Sequence, residues 1–344
     1  MMTEREAIDL FHSDDLIGIG MAADAQRRKL HPEGVVTYII DRNINYTNFC
    51  TEYCSFCAFY RPLGHKEGYV HSLDTILQKI QETVDLGGTG VLMQGGLHPD
   101  LKIEWYEDML RTIKRQFPQV WLHCFSSPEI QNIAKVSGLD LTTTISRLRD
   151  AGLDSIPGGG AEILHDDVRQ RISRLKCDTQ EWVDVHLAAH KLGMRTTATM
   201  MFGCGETIEQ RVHHFEVVRQ IQEETGGFTA FIPWSFQREN TSLGRTVKEE
   251  ATGVEYLKTL AISRLYLENI LNVQSSWVTQ GLKTCQVGLR FGGNDVGSIM
   301  IEENVVSAAG ARNHASEEEL RRLIRDAGFV PKQRDTLYRT YFLN

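Results

Sequence analysis

Three cysteines lying close together are the residues of this sequence best suited to chemistry. Cys50, Cys54 and Cys57 have the spacing Cys-x3-Cys-x2-Cys. Cysteine thiolates hold iron–sulfur clusters, and a four-iron cubane takes one protein ligand per iron. Because no fourth cysteine lies nearby, one iron would stay open and could bind and reduce a small molecule. The spacing therefore predicts a [4Fe–4S] cluster with one reactive iron.

Structural zinc is the alternative interpretation of the same cysteines. Such a site is closed by four ligands, commonly in paired Cys-x2-4-Cys hooks. His65 and His71 lie downstream, but no second hook follows them. The missing partner favours the cluster.

The composition is that of a soluble globular chain. Its 344 residues are 41% hydrophobic and 24% charged, which is enough for a large core. The net charge of −8 argues against a general nucleic-acid binder. The opening stretch MMTEREAIDLFHSDD is acidic and polar, and no apolar run approaches the ~20 residues of a membrane span. With seven cysteines, an odd number, we expect a cytoplasmic protein rather than a disulfide framework or a membrane protein.

Predicted strands and helices alternate along the chain. Apolar, β-branched runs such as VVTYII at 35–40 predict buried strands, and so do NVQSSW at 272–277 and QVGLRFGG at 286–293. Apolar residues at helical spacing over 72–86 and 254–271 predict helices. The alternation indicates a parallel sheet with crossover helices, and about six or more such units favour an α/β barrel of the TIM type.

The boundaries of the predicted parts follow from the same patterns. No linker rich in proline, serine or charge interrupts the chain, so we expect a single domain. Its parts are a helical lead-in over 1–34, a barrel core over 35–301 and a C-terminal cap or brace over 302–344.

Loops that follow the strands carry the working residues of a parallel α/β barrel. We expect the cysteine loop to follow the 35–40 strand. The other loops expected at the same mouth are 94–96, 126–129, 157–162, 203–206, 233–237 and 292–295.

The cysteine triplet and the aromatic residues around it resemble the signature of the radical S-adenosylmethionine superfamily. In that superfamily the open iron chelates S-adenosylmethionine, and an electron from the cluster cleaves the sulfonium to a 5′-deoxyadenosyl radical. The resemblance implies a [4Fe–4S] cluster and S-adenosylmethionine as cofactors, with Cys50, Cys54 and Cys57 as metal ligands. The protein contributes placement, electrostatics and exclusion of side reactions.

The same resemblance implies which residues bind the cofactor. Glu162, after the fourth strand, occupies the place from which a side chain grips the ribose hydroxyls. Glu206 ends a Gly-x-x-Glu stretch near the adenine, and the backbone of Tyr60 also resembles an adenine contact. The methionine amino group is expected at Gln94, Gly95 and Gly96.

The methionine carboxylate requires a cation. Arg171, Arg174 and Lys176 are the candidates, and we take Arg171 as the expectation. The loop at 203–206 departs from the family pattern, because Cys204 and Gly205 stand where a His-Val pair is expected.

Longer strings resemble the dehypoxanthine futalosine cyclase family of the futalosine route to menaquinone. They include NINYTN, CAFYR, DSIPGGGAEIL, RTTATMMFG and EENVVSAAG. The resemblance implies a radical that removes hydrogen from C4′ of the substrate's ribose and a carbon radical that adds to the benzoate ring. The implied product is cyclic dehypoxanthine futalosine, and the implied partner is an external electron donor such as a flavodoxin or ferredoxin.

The cyclised ring must then lose a proton to a positioned base. Asp295, Glu129 and His98 are the candidates, because each is expected at the carboxyl end of a strand. Arg61 and Arg290 flank the motif loops and are candidates for binding the benzoate carboxylate.

Other functions stay open on the sequence. Aminofutalosine synthase shares the cluster loop and GGGAE, and a deazaflavin-cofactor synthase would use the same scaffold. A cluster-bearing or zinc-bearing binding protein would explain the cysteines without catalysis. Pro233 and Trp234, together with EENVVSAAG, favour the cyclase.

Overall fold

The computed structural model describes residues 1–340. Its strands are β1 (Val35–Ile39), β2 (Asp41–Ile44), β3 (Gly90–Met93), β4 (Trp121–Cys124), β5 (Ser155–Ile156), β6 (Arg195–Phe202), β7 (Phe228–Ser235), β8 (Asn272–Val273), β9 (Asp295–Ser298) and β10 (Val330–Gln333). Positions 341–344 of the predicted brace lie outside the described residues.

Helices separate most of these strands. They are α1 (Glu4–His12), α2 (Leu16–Leu30), α3 (Leu73–Asp85), α4 (Ile103–Gln116), α5 (Ser127–Ser137), α6 (Leu141–Ala151), α7 (Asp166–Ile172), α8 (Thr179–Lys191), α9 (Ile208–Thr225), α10 (Gly253–Tyr266), α11 (Gly281–Gly288), α12 (Val305–Ala308) and α13 (Glu317–Asp326), with a 3-10 turn at Leu243–Arg245. No helix within residues 1–340 is long and apolar enough to cross a membrane.

The sheet is parallel throughout and curls into the predicted α/β barrel. Strands β2 to β8 are neighbours in sequence order, and β9, β1 and β10 form a second ladder. A bridge between Gln274 and Asp295 joins the two ladders after β8. Since β1 runs directly into β2, the wall returns to its starting point.

The core lies between the barrel wall and the helices. Apolar side chains of β6 and β7, such as Met200 and Phe231, are fully buried against α9 and α10. The helices begin where the sequence offers caps: Ser72 accepts a hydrogen bond from the Thr75 amide at the start of α3, and Thr207 forms a capping box at the start of α9. Burial of these faces orients the strand ends toward one mouth.

Three local predictions were wrong. The strand at 35–40 ends at Ile39, and the cysteine loop follows β2. The run 272–277 forms strand at Asn272–Val273 alone, and most of the 286–293 run belongs to helix α11 and the turn after it. A short apolar run fits a buried strand and a buried helix equally well, so periodicity cannot separate them.

The C-terminal segment also forms part of the barrel. Strand β10 pairs with β1 in parallel, with Val35 opposite Val330. Residues that follow β10, including Arg334 and Tyr338, line the interior of the barrel. The chain after the predicted core thus contributes directly to the central cavity.

Candidate functional site

The cysteine loop is held by backbone hydrogen bonds to neighbouring loops. The Cys50 amide donates to Arg61 O at 3.0 Å, and the Ser55 amide donates to Ile172 O at 2.8 Å. The Gly96 amide donates to Thr47 O at 2.9 Å, which ties this loop to the one after β3. The positions of the cysteines are therefore fixed by backbone contacts rather than by their own side chains.

The three thiols are free and poorly exposed. Cys54 is buried, and Cys50 and Cys57 are half-buried. Burial raises the pKa of the Cys54 and Cys50 thiols, so their thiolate forms require a nearby positive centre. No group of three or more His, Cys, Asp or Glu in residues 1–340 is arranged to hold a single metal ion. A four-iron cubane does not need its three cysteines to converge on one ion, because each thiolate binds its own iron.

Steric contacts explain why glycine occupies two positions after β3. A Cβ on Gly96 would lie 2.1 Å from Phe49 O, and a Cβ on Gly95 would lie 2.6 Å from the Tyr46 ring. Both distances are too short for any side chain. These positions allow the loop to pack directly against the chain that leads to the cysteines.

Glu129 connects that glycine loop to the neighbouring strand end. Its Oε1 accepts hydrogen bonds from the Gly95 amide at 2.8 Å and from the Tyr46 hydroxyl at 2.7 Å. Its Oε2 accepts from the amide and the hydroxyl of Ser126, which forms the capping box of α5. Desolvation raises the pKa of Glu129 despite these donors. With both oxygens engaged, the carboxylate supports the loop.

Glu162 lies in a strained and buried position after β5. Its φ of 41° is unusual for a residue with a side chain, and its exposure is 5%. Oε1 accepts from Lys176 Nζ at 3.1 Å, and Arg169 lies 3.7 Å from Oε2. Oε2 is buried without a hydrogen-bond partner in the described chain, and the residue lines the cavity. An orphan acceptor on a cavity wall points to a ligand donor.

Lys176 is the cation nearest to this carboxylate. Burial opposes its charge, but the Glu162 carboxylate and the nearby Cys54 and Cys177 together raise the pKa of the ammonium. The ammonium also lies 5.3 Å from the centroid of the Phe56 ring, inside the cysteine loop. Arg171, the cation expected from the sequence, is exposed and donates to Gly205 O at 2.7 Å.

Glu206 and Tyr60 lie at two edges of this region. The Glu206 side chain is fully buried, pairs with Arg211 at 2.6 Å and accepts from the Gly203 and Cys204 amides. Burial opposes its charge, but Arg211 and the backbone hydrogen bonds together lower the pKa of Glu206. Tyr60 is half-buried. The contacts of Glu206 are those of a loop anchor.

The structure contradicts the expected position of Asp295. This residue begins β9 instead of following a strand, because the preceding run is helical. Its carboxylate accepts from Arg334 Nε at 2.5 Å, from Arg334 Nη2 at 3.0 Å and from the Thr37 hydroxyl at 2.6 Å. Asp295 is fully buried and is not among the residues that line the cavity.

The remaining side-chain candidates also have local partners. His98 Nδ1 accepts from the Asp100 amide at 3.1 Å, and burial lowers its pKa. Arg61 pairs with Glu67 at 2.9 Å. Arg290 donates to Ala327 O.

A cavity of about 300 Å³ occupies the barrel interior. It extends from Gln94 and Glu162 at the carboxyl ends of the strands to the segment after β10. Apolar and polar side chains both line it. The apolar ones include Ile232, Trp234, Trp277, Val296, Val305 and Val306, and the polar ones include Asp41, Asn43, His123, Thr197, Thr199 and Ser276.

Sequence reasoning missed the polar residues of this cavity. Asp41 and Asn43 alternate with outward-facing neighbours on β2, and His123 lies on β4. Asn43 Oδ1 is buried without a partner in residues 1–340. In a strand over 41–43, side chains alternate between the two faces, so Asp41 and Asn43 are expected on the same face.

Two family models match this chain. A model of the radical SAM superfamily matches residues 44–218, which include the cysteine loop and Glu162. The chain belongs to the radical SAM superfamily. A second model, described as the CofH/MqnC C-terminal region, matches residues 225–343 of this radical SAM protein.

Curated relatives cover nearly the whole chain. A cyclic dehypoxanthine futalosine synthase of Halalkalibacterium halodurans is 51% identical over 98% of this chain and 90% of the relative. The synthase of the same name from Streptomyces coelicolor is 46% identical over 98% and 85%. A 5-amino-6-(D-ribitylamino)uracil–L-tyrosine 4-hydroxyphenyl transferase of Methanococcoides burtonii is 45% identical over 89% and 86%.

Solved structures support the fold. The hydrogenase maturase HydG matches 96% of this chain and 72% of its own with a TM-score of 0.75 at 12% identity. Methylornithine synthase (PylB) matches 96% and 94% with a TM-score of 0.70 at 17% identity. As a radical SAM enzyme, this protein uses a [4Fe–4S] cluster and S-adenosylmethionine.

Proposed function

We propose that this radical SAM enzyme is a cyclic dehypoxanthine futalosine synthase, which cyclises dehypoxanthine futalosine in menaquinone biosynthesis. The observation that carries the proposal is its 51% identity, over 98% of the chain, to a synthase of that name. The cavity inside the barrel supports it, because a reaction through carbon radicals requires a site that limits access of water and other hydrogen donors.

Cys50, Cys54 and Cys57 are the proposed ligands of the cluster. They fit a cluster because their thiols are free and lie on one loop that backbone hydrogen bonds hold in place. Burial of Cys54 disfavours its thiolate, so a nearby positive centre such as iron is needed to stabilise it. Glu162 Oε2, the orphan acceptor, fits a ribose hydroxyl of S-adenosylmethionine. Lys176, beside Glu162 and the cysteine loop, fits the cofactor's carboxylate better than the exposed Arg171.

When bound, the cluster and S-adenosylmethionine would supply the 5′-deoxyadenosyl radical needed to remove the C4′ hydrogen of the substrate. Gln94, Gly95 and Gly96 are the proposed contacts of the methionine amino group, with Glu129 fixing their loop. Tyr60 and Glu206 are proposed to border the adenine, Tyr60 as a contact and Glu206 as an anchor.

The cavity walls then orient the substrate. Trp234 and Trp277 offer flat apolar surfaces for the benzoate ring, and Asn43 Oδ1 offers an acceptor for a sugar hydroxyl. Holding C4′ and the ring carbon within reach makes the addition intramolecular, which is worth up to about 7 kcal/mol of the barrier or more.

A second candidate function is suggested by the Methanococcoides burtonii relative, which carries a 4-hydroxyphenyl transferase name at 45% identity. That reaction would use the same radical and the same cavity, with tyrosine as a substrate. The higher identity and fuller coverage of the two synthases favour the cyclase.

An external one-electron donor such as a flavodoxin or ferredoxin is part of the proposal, because each radical begins with one electron given to the cluster. We place the reaction in the cytoplasm, where thiols stay reduced. All seven cysteines are free, which agrees with that compartment.

The test is an anaerobic assay of the cluster-loaded protein with dithionite and S-adenosylmethionine. Dehypoxanthine futalosine should stimulate 5′-deoxyadenosine formation and yield a product two hydrogens lighter than the substrate, detected by mass spectrometry. Tyrosine with 5-amino-6-(D-ribitylamino)uracil should give no product. Product from that pair instead would support the transferase, and cleavage of S-adenosylmethionine with neither substrate converted would refute the cyclase.

A further inference from the structure

Six ionisable side chains line the barrel cavity, and most of them are held by other contacts or are poor proton acceptors. They are Asp41, His123, Glu162, Glu303, Arg334 and Tyr338. The cyclase reaction produces one proton that must leave the ring, so one member of this set is expected to receive it.

Two of the three carboxylates are already bound by other groups of the protein. Glu303 accepts hydrogen bonds from the amides of Val305, Val306 and Ser307 at 2.7–2.8 Å and so caps α12. Glu162 is bound by Lys176 at the cofactor end of the cavity. Asp41 is the remaining carboxylate on the cavity wall.

The other three groups are poor proton acceptors. Arg334 is paired with Asp295, and Tyr338 is held protonated because burial raises its pKa. Burial, reinforced by Arg334, lowers the pKa of His123 to about 3. An imidazole of that acidity binds a proton weakly near neutral pH.

Asp41 lies at the deep end of the cavity. It pairs with Gly90 in the β2–β3 ladder, and Gln94 directly follows the end of β3, four residues beyond Gly90. At the rise of a β-strand, this is roughly 13 Å below the loop proposed to bind the cofactor.

This depth suits the stereochemistry of the ring closure. In the proposed arrangement the benzoate ring lies deeper in the cavity than C4′, so the C4′ radical attacks the ring from the side of the cofactor. The hydrogen on the attacked carbon is then displaced toward the opposite face, which is the side of the cavity floor. A base that takes this proton must therefore lie across the ring from the cofactor.

We propose that Asp41 is the catalytic base that takes this ring proton, an assignment that rests on the proposed cyclase function. A bond forms between C4′ and the ring carbon, and the C–H bond at that carbon breaks. Its proton goes to the Asp41 carboxylate, and its electron pair restores the aromatic sextet. The one surplus electron would go to the iron–sulfur cluster, whose one-electron couple would also supply the electron that starts the reaction.

The charged and titratable groups facing Asp41 set its proton affinity. They are Arg334 and Tyr338 from the segment after β10 and Asp295 from β9, with the Ser298 hydroxyl beside them. His123 from β4 lines the same cavity. Burial raises the pKa of Asp41 to about 6, against the opposing effects of Ser298 and Arg334. A base with that pKa is charged at neutral pH and still holds a proton usefully.

The test measures two products of the same anaerobic turnover, cyclised product and 5′-deoxyadenosine, in Asp41→Asn and Asp41→Glu. Asp41→Asn should still form 5′-deoxyadenosine within about threefold of wild type, while product per 5′-deoxyadenosine falls at least tenfold. Asp41→Glu should recover part of that ratio. Asp85→Asn, which removes an exposed carboxylate at the end of α3, should match wild type in both quantities.

The pH profile gives a second readout. The wild-type ratio should decline as pH falls below about 6, where Asp41 becomes protonated, and Asp41→Asn should show no such decline. An unchanged ratio in Asp41→Asn, or an equal loss of both products, would overturn the assignment. Wild type that cleaves S-adenosylmethionine without making cyclised product would instead overturn the proposed function and this assignment with it.

Discussion

The Gly95 amide donates a hydrogen bond of 2.8 Å to Oε1 of Glu129. This bond links the loop after β3 to the capping box of α5, and the Tyr46 hydroxyl shares the same oxygen. Glu129, a candidate base from its sequence position, therefore holds the glycine loop in place. The distinction can be measured, because a positioning residue and a base affect different kinetic constants.

Glu129→Gln should weaken binding of S-adenosylmethionine more than it slows turnover. The amide replaces one acceptor oxygen with a donor, so one of the bonds to Gly95 or Ser126 is lost. A hydrogen bond to a charged group contributes about 1.5–3 kcal/mol, which corresponds to roughly a tenfold rise in KM for the cofactor or more. We expect kcat at saturating cofactor to stay within about threefold.

Ser126→Ala is the matched control for that variant. It removes the hydroxyl bonded to Glu129 Oε2 but leaves the Gly95 bond intact, so its KM should change less. A collapse of kcat in Glu129→Gln with an unchanged KM would show that Glu129 acts in the chemistry itself.

Lys176→Met should destabilise the protein and weaken cofactor binding. The substitution leaves the buried Glu162 carboxylate with Arg169 at 3.7 Å as its remaining cationic neighbour. Breaking a buried ion pair costs about 3 kcal/mol, which urea denaturation of the cluster-free protein would detect. Arg174→Met, at an exposed position, should leave the unfolding midpoint unchanged. Equal midpoints for the two variants would contradict the pairing.

The sequence predicted the residues whose chemistry depends on spacing. The Cys-x3-Cys-x2-Cys triplet is marked by its local spacing, and Glu162 was predicted from the resemblance to the superfamily. The alternation of apolar strands and amphipathic helices likewise predicted the barrel, since each pattern repeats over many residues.

Features that depend on distant contacts were not predictable in this way. Ile40 interrupts what reads as one strand, because β1 pairs with β9 and β10 whereas β2 pairs with β3. Asp295 is neutralised by Arg334, which lies 39 residues away in sequence. Asp41 faces the cavity because of its place in the barrel wall, and nothing in its immediate neighbours marks it as different from a surface aspartate.

Arg334→Met should be strongly destabilising. It leaves Asp295 fully buried without its bidentate partner, and the loss of one member of a buried pair costs about 3–5 kcal/mol. Arg290→Met is the control, because this arginine is 46% exposed and bonds a backbone carbonyl near the surface. Chemical denaturation of both variants at pH 7.5 provides the measurement. Similar unfolding free energies would mean that the Arg334–Asp295 pair adds nothing to stability.

Asp41→Asn should stabilise the fold at neutral pH while impairing the reaction. The pKa of Asp41 is about 6 in the folded chain and 3.8 in its ordinary state, so the folded state binds the proton more tightly. Stability from this group therefore falls as pH rises from about 4 to 6 and stays low above that range. Removing the charge should recover about 2 kcal/mol at pH 7.5, less than the full shift implies because water in the cavity screens the carboxylate. Below about pH 4 the advantage should vanish, because the wild-type carboxyl is then neutral in both states. Urea unfolding of the cluster-free proteins at pH 4, 6 and 7.5 tests this expectation, and an Asn variant that is less stable than wild type at pH 7.5 would indicate that Asp41 serves the fold rather than the chemistry.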